Sequence, residues 1–254
     1  MLKSQITLLH KELVAPQTFL LTFSCTNSVD FTAGQFANFE IEPKVWRSYS
    51  FVNCSNQIPS FLKSNLTSWQ DKFPSISFEN VNYWTFLVSS KSGGVASQLF
   101  DKIELGFEVS TLAPIGRFAV LDTDKDKVFV CTGTGLAPFI PMIKNALLNS
   151  KCTLFFGTSW DATDYGRILC EQFGLFENPN FVMYSGMFPI ETPIVSEFVQ
   201  NGTVTQLLPK YLSDFESKEF YLCGNPFMVL DVEKLILEMG GKTIIKENFG
   251  VIKK

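Results

Sequence analysis

The feature that most constrains this chain is a change of hydrophobic period across residues 122–127, the charged run DTDKDK. Before it, apolar residues come in short or alternating runs at 5–13, 18–25, 37–42, 47–53, 83–88, 107–111 and 117–120. Alternation places every second side chain on one face of a strand. Pro16, Asp30 and Pro43 punctuate the runs, and residues 95–102 read as a single short helix. Many short strands with one helix predict a small antiparallel barrel. After the break, apolar strands at 128–131, 153–157, 181–185, 220–223 and 243–249 alternate with helical stretches at 138–149, 165–176, 204–212 and 226–239. That alternation predicts a parallel sheet covered on both faces. The expected fold is therefore two-domain, an N-terminal antiparallel β-barrel over 1–121 and a C-terminal α/β parallel-sheet domain over 122–254. Residues 56–82 are rich in Ser, Asn, Phe, Pro and Trp and show no clean period. They read as an insertion in the barrel, a loop or lid that packs on something through Trp69, Phe73 and Phe78.

Two stretches of the first half carry chemistry together. Arg47-Ser48-Tyr49-Ser50 offers a guanidinium, a phenol ring and hydroxyls. On a strand, Arg47 and Tyr49 share one face, suited to a phosphate at one end and a flat ring at the other. Lys91-Ser92-Gly93-Gly94-Val95-Ala96-Ser97 is a Gly-rich turn opening onto the short helix. Its backbone N–H groups would face an anion at a helix N-terminus. The pair describes a site for a long, flat, phosphorylated cofactor. Taken alone, the tetrapeptide is better explained by an ordinary edge strand with a surface Arg and a half-buried Tyr.

In the second half, Thr132-Gly133-Thr134-Gly135 follows the first strand and precedes Pro138 and a helix. The glycines allow a tight turn and close approach by a pyrophosphate. Cys223-Gly224-Asn225-Pro226-Phe227-Met228 ends a strand and opens the last long helix, with Pro226 suited to its first turn. Gly157 and Ser185 end two further strands. Ligands of open parallel sheets gather at such carboxyl ends. An ordinary helix start with an unreactive cysteine also explains the Cys223 stretch on its own.

The ordered set resembles the ferredoxin–NADP reductase superfamily, in which R-x-Y-S and G-x-x-S form the flavin-binding signature. Phe31-Thr32-Ala33-Gly34-Gln35-Phe36 and Tyr49-Ser50-Phe51-Val52-Asn53 look like its bacterial ferredoxin/flavodoxin–NADP reductases. The resemblance implies FAD in the barrel and NADPH or NADH on the parallel-sheet domain. It implies that Arg47 pairs with the pyrophosphate, Tyr49 packs on the isoalloxazine and Ser50 lies near its N5. Ser48 belongs to the same motif, Leu87, Val88 and Ser89 pass along the cofactor, and Gly94, Val95, Ala96 and Ser97 hold the pyrophosphate. Thr132, Gly133, Thr134, Gly135, Gly157 and Ser185 would contact the nicotinamide nucleotide. Cys223, Gly224, Asn225, Pro226 and Met228 would face the nicotinamide, with Cys223 near the flavin. Phe249 is the implied aromatic gate over the flavin, and Glu247 joins Ser50, Cys223 and Phe249 in the implied catalytic set. Where relatives carry a second C-terminal aromatic, this chain has Gly250; Trp69 is the substitute expected to cover the adenine.

The implied activity is electron transfer between NAD(P)H and a one-electron carrier, a separate ferredoxin or flavodoxin. Hydride chemistry belongs to the cofactors and placement to the protein. Relatives selective for NADPH follow the Ser185 position with Arg, whereas here Gly186 and Met187 follow. That leaves NADH open, because an Arg fork is the natural partner of a 2′-phosphate. An NADH-dependent oxygenase reductase or free-flavin reductase shares these motifs. A non-catalytic electron-transfer subunit resembles them too, but adds a cysteine cluster for iron–sulfur.

Composition removes other classes. The net charge is −4 and Lys and Arg do not cluster, against nucleic acid as a partner. Lys63, Lys72, Lys91 and Lys246 are the candidates for docking an acidic carrier. Cys25, Cys54, Cys131, Cys152, Cys170 and Cys223 form no C-x-x-C pair, so no metal site is expected and buried free thiols are. The only histidine, His10, has no triad partners nearby, against hydrolysis. Neither a signal peptide nor a stretch of spanning length is recognised, so the expected location is the cytoplasm.

Overall fold

A computed structural model describes residues 1–27, 29–53, 58–78, 81–159, 164–188 and 199–249. Cys54, Pro189 and Gly250, and the margins of the inserted stretch at 56–57 and 79–80, lie outside the described residues. The chain forms two compact units, Met1–Ala119 and Val120–Lys254. No described helix is long and apolar enough to cross a membrane.

The first unit contains β1 (Leu2–Ala15), β2 (Thr18–Cys25), β3 (Phe36–Glu42), β4 (Val45–Ser50), α1 (Leu66–Lys72), β5 (Asn82–Ser89), α2 (Val95–Lys102) and β6 (Glu108–Ile115). Its sheet runs β4-β3-β6-β1-β2-β5, and every pairing is antiparallel. An isolated bridge between Phe51 and Phe86 joins the two end strands, so the sheet closes into a barrel. Alternation decides what fills it. Leu8, Phe23, Phe39, Trp84 and Phe86 point inward and are buried with Phe51 and Phe100. The rings meet edge-on, as Phe39 does with Phe86 at 4.9 Å, the arrangement their quadrupoles favour.

Two expectations fail here. Residues 117–120 form no strand, because β6 already runs to Ile115. Gly116 then takes φ +105, and a Cβ there would lie 3.0 Å from the Phe36 ring. The inserted stretch is not wholly an irregular loop, since Ser60–Lys72 within it is helical. A 3₁₀ turn, Ser60–Asn65, leads into α1. Leu62 and Trp69 are buried with Leu9 and Tyr83, neighbours in sequence of the inward-facing Leu8 and Trp84. Alternation puts Leu9 and Tyr83 on the outer wall of the barrel, and the insertion covers that wall with a small core of its own.

The second unit contains β7 (Lys127–Thr132), α3 (Phe139–Ala146), β8 (Cys152–Ser159), α4 (Tyr165–Gln172), β9 (Phe181–Phe188), β10 (Val199–Asn201), α5 (Val204–Tyr211), β11 (Glu219–Gly224), α6 (Pro226–Glu238) and β12 (Thr243–Asn248). The sheet runs β10-β9-β8-β7-β11-β12, parallel throughout. On one face Val128, Val130, Phe155 and Leu222 pack with Leu207, Val229 and Val232 of α5 and α6. On the other, Phe129 meets Phe139 of α3 at 5.1 Å and Phe156 meets Tyr165 of α4 at 5.2 Å. Cys25, Cys131, Cys152, Cys170 and Cys223 are buried free thiols.

Candidate functional site

In the barrel unit, β4 carries Arg47, Ser48, Tyr49 and Ser50. Tyr49 is half-buried, its ring edge-on to Phe39 at 5.2 Å and to Phe100 at 5.1 Å. Phe100 belongs to α2, so this contact brings the RSYS strand against the helix opened by the Gly-rich turn. Burial pushes the Tyr49 hydroxyl far above its ordinary range, with the Arg47 charge opposing; the ring is a neutral platform. Arg47 is exposed and its Nη1 donates to the Trp46 carbonyl at 2.8 Å. Ser48 Oγ donates to Asn38 Oδ1 at 2.6 Å. Ser50 is 4% exposed. On β5, Leu87 and Val88 are buried, and Ser89 Oγ accepts from the Lys91 amide at 3.3 Å.

Gly93 takes φ +65, a conformation that suits glycine, and Gly94 is the N-cap of α2 with no side chain capping it. The first turn, at Val95, Ala96 and Ser97, therefore presents backbone donors and the positive end of the helix dipole, a setting that suits an anion. Ser97 is buried and shares a 2.7 Å hydrogen bond with Ser92 Oγ. At the other end of α2, Lys11 Nζ donates to the carbonyls of Asp101 and Ile103, both at 3.1 Å. A cation there complements the negative end of the helix.

In the second unit, the motif residues of β7, β8 and β11 meet at one rim of the sheet. Thr132 ends β7, and Gly133–Leu136 forms a 3₁₀ turn before α3, with Gly133 at φ +58. A Cβ on Gly135 would lie 2.5 Å from the Cys223 carbonyl oxygen, and one on Gly157 would lie 2.8 Å from Thr132 Cγ2. Only glycine allows approaches this close; Gly157 lies inside β8, which runs on to Ser159, rather than ending the strand as expected. The Asn225 amide donates to Thr132 Oγ1 at 3.1 Å. Asn225 Oδ1 accepts from the Phe227 amide at 2.9 Å, capping α6, with Pro226 in its first turn. Met228 is partly buried against the α5–α6 core rather than open at the rim.

Cys223 is fully buried, and burial together with neighbouring Glu247 drives its thiol well up. The two are register partners on β11 and β12. Glu247 Oε2 is buried without a hydrogen-bond partner, and desolvation raises that carboxyl to about 7. Phe249 is half-buried, and its amide donates to the Gly224 carbonyl at 3.1 Å.

Three expected residues are otherwise engaged. Ser185 is 1% exposed and its hydroxyl donates to Asp164 Oδ1 at 3.0 Å. Asp164 caps α4 through the Arg167 amide; its Oδ2 is buried without a partner, and burial raises its carboxyl. Trp69 does not present a surface for an adenine. It is 4% exposed, and its ring stacks with Phe78 and Tyr83 at 6.4 and 6.3 Å. Lys246 is held by Glu233 Oε1 at 2.6 Å.

Sequence reading missed Asp164 and the role of Asn53, named only as part of the Tyr49–Asn53 run, whose side chain ties the end of that run to β5. An Asp before a helix start is a cap signal, so Asp164 was open to that reading. Nothing local marks Asn53.

Residues 129–234 match the family described as the oxidoreductase NAD-binding domain. The anthranilate 1,2-dioxygenase electron transfer component of Acinetobacter baylyi is 27% identical, over 86% of this chain and 58% of its own length. A component of the Na(+)-translocating NADH-quinone reductase of Methylococcus capsulatus is 25% identical, over 91% of this chain and 63% of its own. The chain thus spans less than two thirds of either relative. A ferredoxin NADP+ reductase from Neisseria gonorrhoeae, solved with bound FAD and NADP, superposes with a TM-score of 0.73 at 22% identity, covering 97% of this chain and 98% of that one. An Amycolatopsis cytochrome P450 reductase gives 0.76 at 21%, covering 98% and 70%. Residues 129–234 are thus similar to the oxidoreductase NAD-binding domain family, and the chain as a whole has the two-domain fold of the solved ferredoxin NADP+ reductase.

Proposed function

We propose that this chain is an FAD-dependent oxidoreductase that accepts hydride from NAD(P)H and delivers electrons singly to a separate ferredoxin or flavodoxin. The observation that carries the reading is the Tyr49–Phe100 contact, which packs the RSYS strand against α2, the helix whose N-terminus has no side-chain cap. In this reading Tyr49 supports the isoalloxazine ring and Arg47 and the first turn of α2 bind the pyrophosphate. Ser50 lies near the reacting nitrogen, and Leu87, Val88 and Ser89 line the cofactor. The rim built from Thr132, Gly133, Thr134, Gly135, Gly157, Gly224 and Asn225 takes the nicotinamide nucleotide. Cys223, Glu247 and Phe249 serve its reactive end, Glu247 as a carboxyl able to hold a proton near neutral pH. When bound, the flavin supplies the conversion of a hydride into single electrons.

A second reading, the reductase component of an oxygenase, differs in the acceptor. It is favoured by the absence of Arg after Ser185 and by the relative that serves anthranilate dioxygenase. Anaerobic titration of the FAD-loaded protein, followed by flavin absorbance, tests both. Bleaching by NADPH supports the ferredoxin or flavodoxin reading, and bleaching by NADH alone moves the protein to the oxygenase-type reading. An FAD-loaded protein bleached by neither defeats the hydride mechanism.

A further inference from the structure

The two strands proposed to line the flavin, β4 and β5, are the two ends of the barrel sheet. Between them the ladder consists of the single bridge from Phe51 to Phe86. One bond of that bridge runs from the Val52 amide to the Thr85 carbonyl at 2.8 Å. Beyond that point β5 presents the Tyr83 carbonyl and the Thr85 amide to the seam. Asn53 meets both. Its Nδ2 donates to the Tyr83 carbonyl at 2.6 Å and its Oδ1 accepts from the Thr85 amide at 3.0 Å. A primary amide has the donor–acceptor pair of a peptide group, so this side chain takes the place of a strand neighbour. The orientation is fixed, because a carbonyl can only accept and an amide N–H can only donate.

The site is dry. Asn53 is 7% exposed, and Tyr83 and Thr85 are 5% and 0% exposed. A buried donor or acceptor that loses its partner pays its full desolvation cost. The bonds therefore hold the seam shut more firmly than exposed ones would. From Asn53 the constraint runs back along the chain. Phe51 stacks on Phe31 at 4.0 Å, and its amide donates to the Gln35 carbonyl at 3.0 Å. Ser50 and Tyr49 are the next residues back.

We infer that Asn53 is a positioning residue for the flavin site: its side-chain amide fixes the spacing of β4 and β5, and with it the placement of Tyr49 and Ser50 opposite Leu87 and Val88. The inference rests on the proposed FAD site. It predicts an effect on the flavin that loss of an equivalent hydrogen bond elsewhere in the barrel lacks. Thr111 provides the comparison. It is fully buried on β6, and its Oγ1 donates to the Ser4 carbonyl on β1 at 3.1 Å, away from the seam.

The test compares Asn53→Ala, Asn53→Asp and Thr111→Val with the wild-type chain by FAD affinity, bound-flavin fluorescence and the rate of anaerobic flavin reduction at saturating FAD. Asn53→Asp keeps the acceptor for Thr85 and loses the donor to Tyr83, and it carries the test if Asn53→Ala does not fold. Expected for the Asn53 variants are FAD binding weakened about tenfold, brighter flavin fluorescence and slower reduction even when loaded. Thr111→Val should lower thermal stability and leave all three flavin readouts unchanged. Asn53 variants that match wild type in affinity, fluorescence and rate overturn the inference alone. So does a Thr111→Val variant with the same flavin defects, which would make the effect one of barrel stability. A wild-type chain that takes up no FAD overturns the proposed function as well.

Discussion

Lys127 Nζ lies 3.3 Å from Glu219 Oε2, and both side chains are 2% exposed. They are register partners at the starts of β7 and β11. The remaining capacity of the pair is used. Lys127 also donates to the Thr123 and Lys125 carbonyls, at 3.0 and 3.1 Å. Glu219 accepts from Thr123 Oγ1 at 2.7 Å and from the Tyr221 hydroxyl at 2.9 Å. That hydroxyl in turn accepts from the Leu121 amide at 3.0 Å. The charged run at 122–127 is thus pinned to the sheet by a buried network.

Removing one partner leaves the other charge buried and unpaired. Lys127→Met is expected to cost about 3–5 kcal/mol of stability, and Glu219→Gln a similar amount. The double variant should recover much of that loss, because replacing both charges removes the desolvation penalty along with the attraction. Urea unfolding of the whole chain measures it. A loss near 0.5 kcal/mol for Lys127→Met, the level of an exposed pair, would show that water reaches the site.

Trp69 anchors the inserted stretch to the outer wall of the barrel, packed with Leu9, Leu62, Phe78 and Tyr83, none of them proposed to bind FAD. Trp69→Ala empties the centre of a small core, at a cost of about 3–5 kcal/mol. The dissociation constant for FAD should stay within about twofold of wild type, less than the tenfold that 1.4 kcal/mol would give. Calorimetry and flavin titration separate the two effects. A protein of unchanged stability with weakened FAD binding would restore Trp69 as a cofactor contact.

How much was legible in the sequence depends on how local each cause is. The strand Thr18–Cys25 and the helix Val95–Lys102 were readable end to end, because their patterns are complete within the segment. The glycines of the β7 turn were readable because a tight turn needs them wherever the chain later goes. Helix α1 was not, since Leu66–Lys72 is too short to show a period. Nor was the arrest of β6, which depends on the Phe36 ring lying against Gly116. Asn53 and the Lys127–Glu219 pair were out of reach for a common reason. Each acts on a strand distant in sequence, and only the register of pairing brings them together. The same holds for Ser185. It was expected to end a strand, but β9 runs on to Phe188, and the capture of its hydroxyl by Asp164 depends on where α4 begins.

Glu247 gives the stability of the chain a definite pH dependence. Desolvation raises its carboxyl from 4.5 to about 7 in the folded chain. The folded state therefore binds the proton more tightly than the unfolded state. Between these values the folded chain carries more protons at this site, so stability falls as pH rises. The favourable contribution of the neutral carboxyl is fully present below about 4.5 and is lost as pH passes through about 7. Glu247→Gln keeps the shape and cannot ionise. The variant should match the wild type below about pH 4.5, and its unfolding midpoint should fall less as pH rises from about 4.5 through about 7, the window set by that shift. Thermal unfolding across this range checks it, compared as a difference so that other titrating groups cancel. Parallel curves for the two proteins would mean that water solvates Glu247 Oε2 and that the carboxyl titrates as an ordinary glutamate. It would then hold no proton at neutral pH beside Cys223.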